Sequence, residues 1–421
     1  MRVKLAYGKA GLWVDLPYPN VTVLEPKHCQ AIANEPQALR QALRTPAGTP
    51  PVRELVDSGD TVAIVFSDVT RPQPRRSMLT VLLDELSHVP SEQIVLINAL
   101  GTHRPNTDAE LTEMLGHEIL SQYRVVQHDA WDEANVNAGR TASGHEVRLN
   151  ADYMRASVRI LTGFIEPHFF AGFSGGPKAV LPGLADERSI MTNHGFDMIG
   201  HPAATWGITQ GNPLWEEMHE VALKTSPDFL FNVSLNREKR ITGVFAGDLL
   251  RAHAEGTSFV KSVAMVPVPE PFDIVITGNS GYPLDLNVYQ SVKGMSAAAQ
   301  IVKQGGSIVM AAECWDGVPQ HGDYGELLRM ASAPEELMRI ISAPGFSRQD
   351  QWQVQIQAKI QMKAQVFFKN SYLDDDTIRA AMLTPCSSVE EAVAEILRRH
   401  GTDASICVLP EGPMTIPYIE P

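Results

Sequence analysis

The chain has 421 residues, 44% of them hydrophobic and 20% charged, ordinary values for folded domains and enough chain for two buried interiors. Lys and Arg number 35 against 49 Asp and Glu, and the resulting net charge of -14 disfavours nucleic acid and anionic lipid as partners. No apolar run reaches the roughly 18 residues that span a bilayer, MRVKLAYGKAGLWVDL has no signal-peptide pattern, and Cys29, Cys314, Cys386 and Cys407 lack C-x-x-C spacing. The expectation is a cytoplasmic protein with no membrane or nucleic-acid partner and no cysteine-built site.

Short β-rich runs alternate with helical patterns, the signature of parallel sheets flanked by helices. In chain order, strands are predicted at Thr61–Phe66 (TVAIVF), Gln93–Leu100 (QIVLINAL), Tyr123–His128 and Val158–Ile165 (VRILTGFI). Between them, Ser77–Val89 carries Met78, Leu79, Leu82, Leu83 and Leu86 at helical spacing, and Thr107 with Glu110 forms a capping box for the next helix. The run VPVPEP, Val266–Pro271, excludes a helix or a central strand and is the predicted linker. It divides the chain into an N-terminal domain, residues 1–268, and a C-terminal domain, residues 269–421. A second strand series starts at Phe272, Ser307 and Ser405, and a packing helix runs from Ser388 to His400 with Ser387 and Glu390 as its box. The predicted class is α/β, two domains each with a mainly parallel sheet flanked by helices, and the active site in the cleft between them.

In such sheets ligands bind beyond the carboxyl ends of strands, and there the chemical residues collect. TVAIVF leads into SDVTRP (Ser67–Pro72), QIVLINAL into GTHRP (Gly101–Pro105), and VRILTGFI into EPHFFAGFSGGPKAVLPG (Glu166–Gly183). FDIVITGN leads into GYPLDLNVYQSVKG (Gly281–Gly294). The third loop is neither a Walker A loop nor a G-x-G-x-x-G fingerprint: Lys178 follows Pro177, and Ala179 stands where a magnesium-binding hydroxyl would be. Gly172, Gly175 and Gly176 suit positive φ and close approach to a bound molecule, or a plain connector. Arg71 and Lys293 are candidates to grip a carboxylate or phosphate, while Arg75, Arg76 and Arg104 read as surface charges. His103 and His168, in different loops, suit two-sided proton chemistry or, each taken singly, simple hydrogen bonding. His194, in TNHGF, is a metal ligand or a helix-terminal residue.

SDVTRP, GTHRP, EPHFFAGFSGGPKAVLPG, TNHGF and GYPLDLNVYQSVKG, in this order over nearly the whole chain, resemble the nickel-pincer nucleotide enzymes of the lactate racemase family. The resemblance implies a cofactor, nickel pyridinium-3-thioamide-5-thiocarboxylate mononucleotide, attached covalently to Lys178, with His194 as the protein ligand to nickel. It further implies that Asp68, Val69, Thr70 and Arg71 lie against the nucleotide, with Arg71 also meeting substrate. His103 and His168 are then the acid/base pair, and Tyr289, Gln290 and Lys293 bind substrate. Trp352 is an aromatic wall by position, although QWQVQIQAK equally reads as a helix burying its tryptophan. The implied reaction is racemisation of a 2-hydroxy acid, lactate or a related short-chain acid, by reversible hydride transfer from C2. Separate cofactor-making enzymes are the implied maturation partners. A C2-epimerase of an aldonic acid and a non-catalytic carboxylate-binding protein are the alternatives. A zinc ion held by His103, His168 and His194 is the alternative metal reading and predicts hydrolysis or hydration.

Overall fold

The computed structural model describes residues 1–27, 29–319 and 322–420. Apolar β-branched runs collect into two six-stranded sheets, each in its own compact unit. The first sheet has the order Ile241–Gly247, Phe229–Leu235, Val158–Phe164, Val62–Ser67, Ile94–Ala99, Arg124–Gln127. Its neighbours run parallel except at the Ile241–Gly247 edge, which is antiparallel. Val62 to Phe66 is buried on both faces, as expected of a central parallel strand whose side chains meet helices above and below. Val62 pairs with Ile94 on one side and Val158 on the other, so the chain winds outward from this strand in both directions. That makes the Val62–Ser67 and Val158–Phe164 pair the topological switch point, where the loops leaving adjacent strand ends diverge and open a crevice.

The second sheet has the order Thr384–Pro385, Gln365–Lys369, Val302–Ala311, Phe272–Gly278, Ile406–Leu409, Val21–Val23, with all neighbours parallel. The α/β class with two mainly parallel sheets is therefore the observed one.

The single cut at residue 268 does not describe the division. One unit comprises residues 28–194 and 202–262, and the other residues 1–27, 195–201 and 263–421. The first residues join the C-terminal unit because Val21–Val23 supplies its edge strand, Val21 pairing with Ile406. The predicted linker is partly a strand: Met265–Val268 pairs in parallel with Ile416–Ile419 in a two-stranded sheet, where Pro267 removes no central ladder bond. The Thr107–Glu110 capping box is present as read. The one before the last helix is displaced by a residue, since Ser388 accepts from the Glu391 N–H at the start of Val389–His400. Among the described residues no helix is long and apolar enough to cross a membrane.

Candidate active site

Three loops leaving adjacent strands of the first sheet carry most of the predicted residues. The loop after Val62–Ser67 is ordered by Arg75, whose sequence context suggests a surface charge. Its guanidinium is instead buried, with 7% of the residue exposed, and donates to the backbone carbonyls of Ser67 (2.5 Å), Gln73 (3.2 Å), Arg71 (2.6 Å) and Asp68. Burial pushes its pKa down to about 10, with Asp68 pulling the other way. Gln73 completes the scaffold, accepting from the Ser67 N–H at 2.9 Å and donating to the Thr162 hydroxyl at 2.8 Å. Arg76 and Arg104 are exposed as expected, and Arg104 forms a fork with Glu110.

Held this way, Asp68 is 3% exposed. One carboxylate oxygen accepts from the Thr70 hydroxyl at 2.7 Å and the other meets His103 Nδ1 at 2.6 Å. Burial works to raise this carboxyl, but His103, Arg71 and the Thr70 hydroxyl outweigh it and hold the pKa at about 2. The His103 side chain keeps 45% of its exposure, so the ring is anchored at Nδ1 and open elsewhere. Val69 and Thr70 are exposed at the loop tip, and Arg71 is half-buried. Asn106 ties the first loop to the second, accepting from the Val69 N–H at 3.3 Å and from Asn98 at 2.8 Å. The second loop meets the third where the Gly101 N–H donates to the Gly183 carbonyl at 3.1 Å.

The third loop is organised around the ring of Phe170. His168 stands edge-on to it at 4.5 Å between centroids, His194 edge-on at 5.2 Å, and Lys178 Nζ lies 5.5 Å over its face. Three residues singled out separately in the sequence thus surround one aromatic group that was not singled out. His168 is buried, and its Nδ1 accepts from the Ala171 N–H at 3.2 Å in the short turn between Pro167–His168 and Gly172–Phe173. His194 caps the Glu187–Asn193 helix, its N–H donating to the Ile190 carbonyl. Burial, reinforced by the nearby Lys178 charge, drives its pKa down to about 3, so the imidazole is neutral at physiological pH.

The loop glycines do take positive φ, but the space a side chain would need is occupied by the protein itself. A Cβ on Gly172 (φ +75) would strike the Ile208 backbone, and one on Gly176 (φ +52) would strike the His253 ring. The loop is gripped from below: Asn232 Oδ1 accepts from the Gly176 N–H at 2.9 Å, and His253 Nε2 meets the Ser174 carbonyl at 3.1 Å. The signal for Asn232 in the sequence is a lone polar residue within the apolar run at residues 229–233. His253 carried no signal of its own in the sequence.

Among the described residues no group of three or more His, Cys, Asp or Glu side chains is placed to hold a metal ion, so His103, His168 and His194 do not assemble a zinc site. In the other unit, Asn287 caps the helix Val288–Ala299, which carries Tyr289, Gln290 and Lys293, all half-buried. Tyr289 packs edge-on to Tyr324 at 5.1 Å, and its carbonyl accepts from Gln353 at 2.5 Å. Trp352 lies in the first turn of the helix Gln351–Lys363 and is 7% exposed. That helix is buried around its circumference, with Gln353, Gln355 and Gln357 donating to backbone carbonyls rather than facing solvent.

Residues 7–207 match the family described as Lactate racemase N-terminal domain, and residues 268–416 the Lactate racemase C-terminal domain. The lactate racemase of Thermoanaerobacterium thermosaccharolyticum is 35% identical over 417 residues, 97% of each chain. That of Lactiplantibacillus plantarum is 37% identical over 382 residues, 90% of each chain. The solved lactate racemase apoprotein from Thermoanaerobacterium thermosaccharolyticum superposes with a TM-score of 0.94 at 34% identity, covering 99% of this chain and 100% of that one. A Thermotoga maritima protein at 17% identity shares the fold, with a TM-score of 0.68 over 91% of this chain and 98% of its own.

Proposed function

We propose, from the premise that this chain belongs to the lactate racemase family and is a racemase, that it interconverts the enantiomers of a 2-hydroxy acid, with lactate the first substrate to try. The observation that carries this reading is the gathering of His168, Lys178 and His194 around Phe170, next to a loop whose His103 is braced by a buried carboxylate.

The donor set fits a nickel-pincer nucleotide. A neutral imidazole at His194 is the form that binds a metal, and with no group of three or more His, Cys, Asp or Glu side chains placed for a metal among the described residues, an ion here would take its other donors from an organic molecule. Lys178, beside His194, would be the point of covalent attachment, and residues 68–71 would lie along the nucleotide. When bound, such a group would supply reversible hydride-acceptor chemistry at C2 of the substrate.

His103 takes the hydroxyl proton at Nε2 as C2 loses its hydride, and the product of that half-reaction is a planar 2-oxo acid. For the other enantiomer to form, His168 would deliver the proton to the substrate oxygen, and the roles of the two histidines would exchange in reverse. Arg71 is proposed to pair with the substrate carboxylate, and Lys293, Tyr289, Gln290 and Trp352 are proposed as substrate-binding residues. Burial of His168 beside Phe169 and Phe170 limits water at the oxo acid. A cytoplasmic setting and maturation by separate cofactor-making enzymes belong to the same proposal. The non-catalytic carboxylate binder is not retained, because the chain is a member of a racemase family.

The test is peptide mass mapping of the Lys178 segment and nickel content, on protein co-produced with cofactor-making enzymes, followed by chiral assay over lactate, malate and aldonic acids. A modified Lys178, near-stoichiometric nickel and racemised lactate are expected. Turnover confined to aldonic acids would replace racemase with C2-epimerase, and enantiomer interconversion with an unmodified Lys178 would overturn the tether.

A further inference from the structure

The family resemblance sets Asp68 with Val69, Thr70 and Arg71 against the nucleotide, yet its carboxylate is turned inward. It is 3% exposed, while Val69 and Thr70 on either side of the loop tip are exposed. Both of its oxygens are engaged within the protein, one by the Thr70 hydroxyl and one by His103 Nδ1. We infer that Asp68 is the positioning residue of His103, and that Asp68 and the Ala171 N–H fix the two acid/base histidines in opposite tautomers. The inference rests on the acid/base reading of His103 and His168 given above.

An ionised carboxylate only accepts, so His103 Nδ1 must carry a proton toward Asp68, leaving the lone pair of the neutral ring on Nε2. A backbone N–H only donates, so His168 Nδ1 must present its lone pair to Ala171, leaving the proton of the neutral ring on Nε2. At rest, therefore, His103 offers a base at Nε2, whereas His168 delivers a proton from Nε2 only once Nδ1 is protonated as well, since donation from the neutral ring would leave an imidazolate. When His103 accepts the substrate proton, Asp68 lies beside the imidazolium and stabilises it. When His168 becomes an imidazolium, its Nδ1–H faces the Ala171 N–H and that bond is lost. The pair is asymmetric in its resting protonation even though racemisation uses both members. Thr70 supports the arrangement by holding the second carboxylate oxygen, which sets the rotation of the group toward His103.

The test is Asp68→Asn, which keeps the shape of the side chain but can donate as well as accept. On cofactor-loaded enzyme, kcat is expected to fall by about 10²- to 10⁴-fold with KM changed much less, and Lys178 remains modified. Nitrogen-15 histidine NMR on the unloaded chain is expected to show His103 as the Nδ1–H tautomer in the wild type and to lose that signature in Asp68→Asn. Near wild-type kcat with an unchanged tautomer would overturn the inference, as would loss of Lys178 modification with the tautomer intact, which would return Asp68 to the cofactor. Should Asp68→Asn fail to fold, Thr70→Val serves instead, with a smaller fall in kcat expected and an unchanged kcat counting against the inference. His103→Ala run in parallel separates the two levels. Wild-type turnover there removes the acid/base reading itself, whereas a slow His103→Ala beside a fast Asp68→Asn removes only the positioning role.

Discussion

Two neighbouring loops of the first sheet reach ordered geometry by opposite means. The loop after Val62–Ser67 is held by charge: a buried guanidinium gathers four backbone carbonyls, and a buried carboxylate engages a hydroxyl and an imidazole. The loop after Val158–Phe164 is held by shape, through glycines pressed against backbone and ring atoms, aromatic packing on Phe170, and the neutral imidazoles of His194 and His253. The first loop leaves His103 half-exposed beside a fixed negative charge. The second buries His168 among rings. Similar side chains, placed a strand apart, are thereby given different electrostatic surroundings, a difference that the proposed two-base reaction would use.

The contrast can be broken from either side. The largest effect on stability is expected from Arg75→Met, which removes the guanidinium donor shared by the Ser67, Asp68, Arg71 and Gln73 carbonyls and should cost about 3 kcal/mol in urea unfolding. Gly172→Ala attacks the shape-held loop. A left-handed φ and a clash with the Ile208 backbone should together cost about 2 kcal/mol by the same measurement, with His168 displaced.

Acid separates the loops without mutation. Burial drives the His253 pKa down to about 4, so its contribution is complete above its ordinary value near 6.5 and erodes as pH falls toward 4. Asp68, depressed to about 2 from 3.8, keeps its contribution until pH falls below about 4. Amide hydrogen exchange, corrected for intrinsic rates, should show protection of residues 174–178 falling between pH 6.5 and 4.5 while residues 67–75 hold theirs. The smallest effect belongs to Arg104→Ala, which removes an exposed pair with Glu110 and should change stability by less than about 1 kcal/mol.

Period and composition made the central strands legible, because a strand buried on both faces must be written in apolar residues. Loops at strand ends were legible for the same reason, since the loops that carry His103, His168 and Lys178 begin immediately after such runs. Arg75 was misread because its partners are backbone carbonyls, which leave no mark in the sequence. His253 was missed because the surface it supports, Gly176 and the Ser174 carbonyl, lies on a distant stretch of chain. The same applies to Val21–Val23, whose place beside Ile406–Leu409 depends on a pairing that local patterns do not express.

The most direct measurement is a chiral time course with His103→Ala and His168→Ala enzymes carrying modified Lys178 and nickel. Turnover reduced by about 10²- to 10⁴-fold in each, with cofactor loading intact, is the predicted result. Wild-type turnover in either variant would contradict a reaction that passes its protons through both histidines.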